Sequence, residues 1–162
     1  MDPEYKAVRK AMYFLWVPVI GITVIFVGLA VLSTLGPSLA VQTGAELERS
    51  DLDLLRAEGI VEQDEKIVLF YSAGLFSIRE DGNVLTDRRV ISYEEEADGQ
   101  IAVYEALLSE IESISIAEKG DFLSDSILLI ALRDQTSFYL LVSTENDGDN
   151  RFLEEVQNSI RR

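Results

Sequence analysis

Apolar positions along the chain follow three different patterns. From Ala11 to Ala45 no side chain is charged, and Met12 to Leu32 is almost wholly aliphatic or aromatic. As a helix, those 21 residues at about 1.5 Å each reach roughly 31 Å, the depth of a bilayer's hydrocarbon core. Between Lys66 and Ser143 the pattern changes to short runs rich in Ile, Val, Phe and Tyr: KIVLFYS, LFSIRE, NVLT, RVISYEE, IAVYEALL, IESISIA, SILLIALR and SFYLLVS. Such runs predict strands, and the nearly all-apolar SILLIALR predicts a central one. In the last segment Phe152, Val156 and Ile160 recur every four residues with Leu153 beside them, which predicts one amphipathic helix.

The connections are legible in part. Ala45 to Val61 sets Leu47, Leu54 and Leu55 among charges and stops at Gly59, so a short connector helix is expected there. Asp81-Gly82, Asp98-Gly99 and Asp147-Gly148 are expected to supply the positive-φ residue of tight turns. Asp149 or Asn150 can cap the closing helix, and Arg161 and Arg162 suit its C-terminal dipole.

Charge narrows the partners. Before the apolar run Lys6, Arg9 and Lys10 stand against Asp2 and Glu4; the remainder holds 11 basic and 27 acidic side chains, a net of −16. Nucleic acid needs a basic footprint that is missing, and anionic lipid headgroups would be repelled. The chain has no Cys and no His, which removes serine triads, zinc-protease motifs, thiolate nucleophiles and the usual transition-metal ligands. No cofactor is implied.

The apolar run reads as an uncleaved anchor. Tyr13 and Trp16 sit at its start, where amphipathic rings settle at the headgroups, and Pro18 falls within the first turns. Ser38-Leu39-Ala40 resembles a signal-peptidase site, but the run exceeds the 7–15 apolar residues of a signal core. Gly21 and Gly28 share a face without forming a full GxxxG pattern and are taken as lipid-facing. More Lys and Arg precede the span than follow it nearby, where only Arg49 and Arg56 stand; this places the N-terminus inside and the domain outside a cell membrane crossed once.

One stretch is specific. EDGNVLTDRRVISYEE interrupts two apolar runs with Asp87-Arg88-Arg89, and a turn is the better reading than a charged active site, because no second reactive group is implied. Thr86 and Asp87 can accept hydrogen bonds from the turn backbone, while Arg88 and Arg89 lay their stems on the protein. The stretch resembles the strand-turn-strand signature of bacterial pleckstrin-homology-like (PH-like) domains. LLRAEGIVEQDEKIVLFYS is similar to the opening of that family and LLSEIESISI to its middle strand, so the resemblance spans Leu52 to Arg162.

It implies a mainly β fold, a PH-like antiparallel barrel of about seven strands with a C-terminal α-helix, which the apolar run precedes with a single N-terminal transmembrane helix. The expected organisation is a basic segment 1–11, a membrane helix 12–35, a linker with connector helix 36–61, and the PH-like domain 62–162. Clustered basic residues of inositide-binding relatives have no counterpart near the first hairpin, where Lys66 and Arg79 stand amid Glu65, Glu80 and Asp81. A protein partner, reached as an accessory subunit of a membrane complex, is the expectation. In such barrels an extended segment can add beside the closing helix; the edge expected here is IESISIA, with Ile111, Ser113, Ser115 and Ala117 as partner-binding residues.

Two acidic stretches admit other readings. STENDGDNRFLE partly matches a calcium loop through Glu145, Asp147, Gly148 and Glu154, but Ser143 and Asn150 break the pattern. Glu94-Glu95-Glu96-Ala97-Asp98 reads as a solvated hairpin tip. The alternative class, a carboxylate-based enzyme or a cation-binding extracytoplasmic domain, has no pair of acids singled out by spacing.

Overall fold

The computed structural model describes Thr23, Ser38, residues 40–121 and residues 124–162. The span expected over Met12–Leu32, with Tyr13, Trp16, Gly21 and Gly28, lies outside the described residues apart from Thr23. Among the described residues no helix is long and apolar enough to cross a membrane. Residues from Pro37 to Arg162 form one compact unit.

Its elements are β1 (Gln42–Thr43), α1 (Arg49–Ala57), β2 (Ile67–Tyr71), β3 (Asp81–Thr86), β4 (Arg89–Glu95), β5 (Ile101–Leu107), β6 (Ile111–Glu118), β7 (Ser126–Leu132), β8 (Ser137–Val142) and α2 (Gly148–Ile160), with a 3-10 turn at Glu145–Asp147. All neighbouring strands pair antiparallel. They form two sheets, β1-β2-β3-β4-β5 and β6-β7-β8, rather than one closed barrel. Between β5 and β6 the chain turns, with the Glu110 amide donating to the Leu107 carbonyl at 2.9 Å, and no ladder joins those two strands.

Burial of β2, β3 and β4 on both faces explains the sequence of the first sheet. Leu69, Tyr71, Leu85, Val90 and Ala106 enter a core shared with Ile114, Leu128, Ile130, Leu140 and Val142 of the second sheet and with Phe152 and Val156 of α2. Alternate residues Ile67, Phe70, Val84, Ile91 and Tyr93 enter a separate core with Leu55, Ile60, Val61 and Ile78. Period-two alternation marks a strand with one wet face, so RVISYEE, with Val90, Ile91 and Tyr93 all buried, shows little of it.

The connector helix is therefore an integral layer. Gly59, at φ 74°, lets the Gly59 amide reach the Arg56 carbonyl and the Ile60 amide the Leu55 carbonyl, at 3.1 and 2.9 Å. This glycine-terminated helix end folds Ile60 back beside Leu55, and both are fully buried.

Three local expectations are corrected. LFSIRE is not a strand: Leu75 and Phe76 are about three-quarters exposed (76% and 73%), on a loop whose amides bind Glu80 Oε2. Asp81-Gly82 begins β3 instead of turning, and Gly82 is required because a Cβ there would lie 2.5 Å from the Tyr93 hydroxyl. At Asp147-Gly148 the left-handed residues are Asn146 and Asp147, at φ 52° and 61°, while Gly148 starts α2 with φ −61°. Asp98-Gly99 does turn, with Gly99 at φ 82°.

The closing helix docks as its period predicts, Phe152 and Val156 being fully buried. Asp149 pins its first turn: Lys119 donates to Asp149 Oδ2 at 2.7 Å and the Ser126 hydroxyl donates to the same oxygen. Burial alone would raise this carboxyl, but bonds from Lys119, Ser126 and the Asn150 amide hold it below the usual carboxylate range. Phe152→Asp removes an aromatic side chain worth about 3–5 kcal/mol and puts a charge against the core. Thermal denaturation should show a large fall in Tm, and an unchanged Tm would mean that α2 does not hold the sheets together.

Candidate functional site

The charged turn is a clamp. Thr86 Oγ1 donates to Glu65 Oε1 at 2.6 Å and accepts the amides of Arg88 and Arg89 at 3.1 and 2.9 Å. Arg89 grips Glu65 with two nitrogens, at 3.0 and 2.8 Å, and also meets Glu105. Asp87 Oδ1 accepts the Lys66 amide at 3.1 Å, and the Asp87 amide donates to the Lys66 carbonyl. Arg88 reaches Glu62 and Asp64 at 3.0 and 2.6 Å. Every side chain of Thr86-Asp87-Arg88-Arg89 is thus engaged in holding the segment Glu62–Lys66 to the β3–β4 turn.

The Glu65 side chain is fully buried and that of Arg89 only 12% exposed. Burial pushes the Glu65 carboxyl up, yet bonds from Arg89, Thr86 and the Glu62 backbone bring it below its ordinary value. Removing one partner of such a buried pair costs about 3–5 kcal/mol, because the other is left charged and dry. The chemistry available there is structural.

The expected partner edge divides between two places. Among the described residues β6 pairs only with β7, so no described strand covers its far edge. Ile111 is buried but lines, with Ser113, Arg133, Gln157 and Ile160, a cleft of about 260 Å³ against α2. Ser115 is exposed opposite Leu129. Ala117 belongs to a different and larger groove.

That groove, of about 720 Å³, runs along β8. Its walls include Asp81, Ser92, Glu94 and Tyr104 from the first sheet and Glu118, Ile127, Tyr139 and Leu141 from the second. Register explains the first wall: Asp81 pairs with Glu94 and Ser92 with Tyr104, on the face that carries Leu85 and Val90 into the core. The second wall is the outer face of the second sheet, where Ile127 pairs with Leu141 and Leu129 with Tyr139. Tyr104 and Tyr139 are 51% and 59% exposed, so this apolar lining is wet.

Sequence reading missed these residues, because two strands far apart in the chain must first be stacked to make the groove. The available signal was SFYLLVS, a run too apolar for a strand with one solvated face.

The groove's electrostatics are one-signed. Asp81 and Glu94 are like charges directly opposite on adjacent strands, an unfavourable arrangement, and Asp125, outside the lining, adds to the negative field at Asp81. Partial burial first, then Glu94 and Asp125, push the Asp81 carboxyl up to about 6. Tyr71 donates to Asp125 Oδ2 at 2.8 Å, and burial followed by that bond raises its phenol well above the usual range. Asn83 Nδ2 donates to the Leu141 carbonyl at 2.6 Å and ties the two sheets at one end of the groove. Among the described residues no group of three acidic side chains is disposed to hold a metal ion, the stretch Ser143–Glu154 included.

No protein-family model matches the chain, and comparison with curated proteins finds no match. Among solved structures the chain is similar to a PH-domain-containing bacterial protein from Exiguobacterium sibiricum, at 12% identity and a TM-score of 0.51, over 71% of this chain and 61% of that one. It is also similar to a DUF1696 family protein with a pleckstrin-homology domain from Shewanella loihica, at 18% identity and a TM-score of 0.46, over 68% of this chain and 90% of that one. A third structure, a pleckstrin-homology domain from Shewanella amazonensis, gives 20% identity and a TM-score of 0.46, over 71% and 89%. The Exiguobacterium likeness, with two antiparallel sheets and a C-terminal helix, shows a PH-like fold.

Asp81 gives a pH test. Its proton is held more tightly in the folded chain (about 6, against an ordinary 3.8), so its contribution to stability is full below pH 3.8 and is lost as pH rises through about 6. Asp81→Asn should therefore stabilise the domain at pH 7 by about 1 kcal/mol, solvent screening reducing the full linkage value, and leave it nearly unchanged at pH 4. Denaturant melts of both forms at the two pH values check this; an equal effect at both would show that Asp81 titrates normally.

Proposed function

We propose that this chain is a membrane-anchored, non-catalytic PH-like interaction module, an accessory or scaffold subunit that holds a protein partner at the membrane surface. The observation that carries this reading is a strand edge left unpaired beside an open, partly apolar groove, which is how extended protein segments are received. The charged turn, the one motif that could pass for a reactive site, is consumed in a structural clamp. The PH-like fold is consistent with a binding role but assigns no ligand.

Anchoring rests on the Met12–Leu32 run, and its basic N-terminal flank orients the domain outward. Tethering gives a partner in the same bilayer a high effective concentration, so a weak contact can be productive. The acidic domain of net −16 is suited neither to nucleic acid nor to anionic headgroups.

Full-length protein in its own membranes should resist carbonate extraction and retain its N-terminal residues, and protease added to spheroplasts should digest the domain. In mild detergent it should migrate as a complex heavier than the chain alone. Release by carbonate, or a mature terminus at Val41, would remove the anchor; complete protection from protease would invert the orientation; a free monomer would count against the module.

A further inference from the structure

The Leu132 amide donates to the Thr136 carbonyl at 2.9 Å, so the backbone groups of residue 136, and by strand alternation those of 138, 140 and 142, point toward β7. The backbone groups of Ser137, Tyr139 and Leu141 then point away from β7, and the Leu141 carbonyl accepts Asn83 Nδ2 from the first sheet. No described strand pairs with that side. At Leu141 the edge is closed by Asn83; at Ser137 and Tyr139 it is open and lies in the groove.

The lining holds three carboxylates, Asp81, Glu94 and Glu118, and no Lys or Arg. Among the described residues none of the three side chains makes an ion pair with a cation of this chain. The arginines nearest in sequence are committed, Arg79 to Glu58 and Glu95, Arg88 to Glu62 and Asp64, and Arg89 to Glu65 and Glu105. Asp81 and Glu94 repel each other across the strands, and a cation between them would relieve that repulsion.

We propose that the groove along β8 docks an extended basic segment of a partner protein, which adds to the free edge at Ser137 and Tyr139 and sets Lys or Arg side chains against Asp81, Glu94 and Glu118. Apolar side chains of the same segment cover Tyr104, Tyr139 and Leu141. The three carboxylates repel phosphate and anionic headgroups. The described strands of a second copy offer no free cation, because Arg89, the one basic residue among them, is already paired. The proposal rests on the interaction-module reading and gives that module a partner chemistry.

The test uses the full chain in zwitterionic nanodiscs, with two synthetic decapeptides as probes, one alternating Val and Lys and one alternating Val and Glu, followed by fluorescence anisotropy. The Val/Lys peptide should bind at least about tenfold more tightly than the Val/Glu peptide, and the double variant Asp81→Asn/Glu94→Gln should lose at least about tenfold in affinity for it. The same charge change at the hairpin tip, Glu96→Gln/Asp98→Asn, should alter affinity less than about twofold. Tyr139→Pro, checked for folding by circular dichroism, should weaken binding by removing an outward donor, and Ile116→Pro, checked in the same way, should not, because the Ile116 amide lies opposite Leu128 and faces the free edge of β6.

Equal binding of the two peptides, equal effects of the groove and tip variants, or failure of the Val/Lys peptide to bind would overturn the proposal. Loss with Ile116→Pro but not with the groove variants would also overturn it, while leaving the module reading in place with β6 as its edge. If the native chain forms a complex in detergent and the groove double variant still forms it, the groove is rejected and the module is not.

Discussion

Burial of β2, β3 and β4 on both faces is the constraint on which the rest of the domain depends. β3 and β4 send residues alternately into a core shared with the second sheet and α2, and into another closed by α1 and the Gly59–Val61 turn. A one-residue slip would exchange the two sets, so register must be fixed by something other than a wet face. The Thr86-Asp87-Arg88-Arg89 turn does this by gripping Glu65 and the Lys66 backbone. At the opposite end Tyr93 lies over Gly82 and donates to the Ile78 carbonyl, so the β3–β4 pair is held at both ends.

The same constraint produces the groove. The face of the first sheet that meets the second is apolar only where it is covered, at Leu85, Val90 and Ala106. Further along the same strands it carries Asn83, Ser92, Asp81 and Glu94. Asn83 spans to β8 there, and beyond that tie the sheets diverge enough to leave an open channel walled by both. At this wall Asp81 stands opposite Glu94, two like charges on adjacent strands that oppose each other in the folded chain.

Much of this architecture is readable in the residues. The strands show because their β-branched and aromatic runs are set apart by polar punctuation, and the closing helix because its period of four survives; SILLIALR is indeed the middle strand of its sheet. The TDRR turn was legible because Thr and Asp bond backbone amides at short range, although its grip on Glu65 was not, since that partner lies on another loop. LFSIRE misled because an apolar run at a loop tip has the same composition as a strand. Gly82 misled because a glycine needed to seat Tyr93 reads locally like a turn glycine. The β8 groove could not be read at all: no local pattern tells where one sheet stops covering another.

The account stands most directly on which amides of β8 are tied to a neighbour. Residue-resolved hydrogen exchange on the full chain should show slow exchange at Phe138, Leu140 and Val142, which face β7, and fast exchange at Ser137 and Tyr139, which face the groove. Uniform protection along β8 would mean that the edge is already occupied within this chain, and would contradict the open groove.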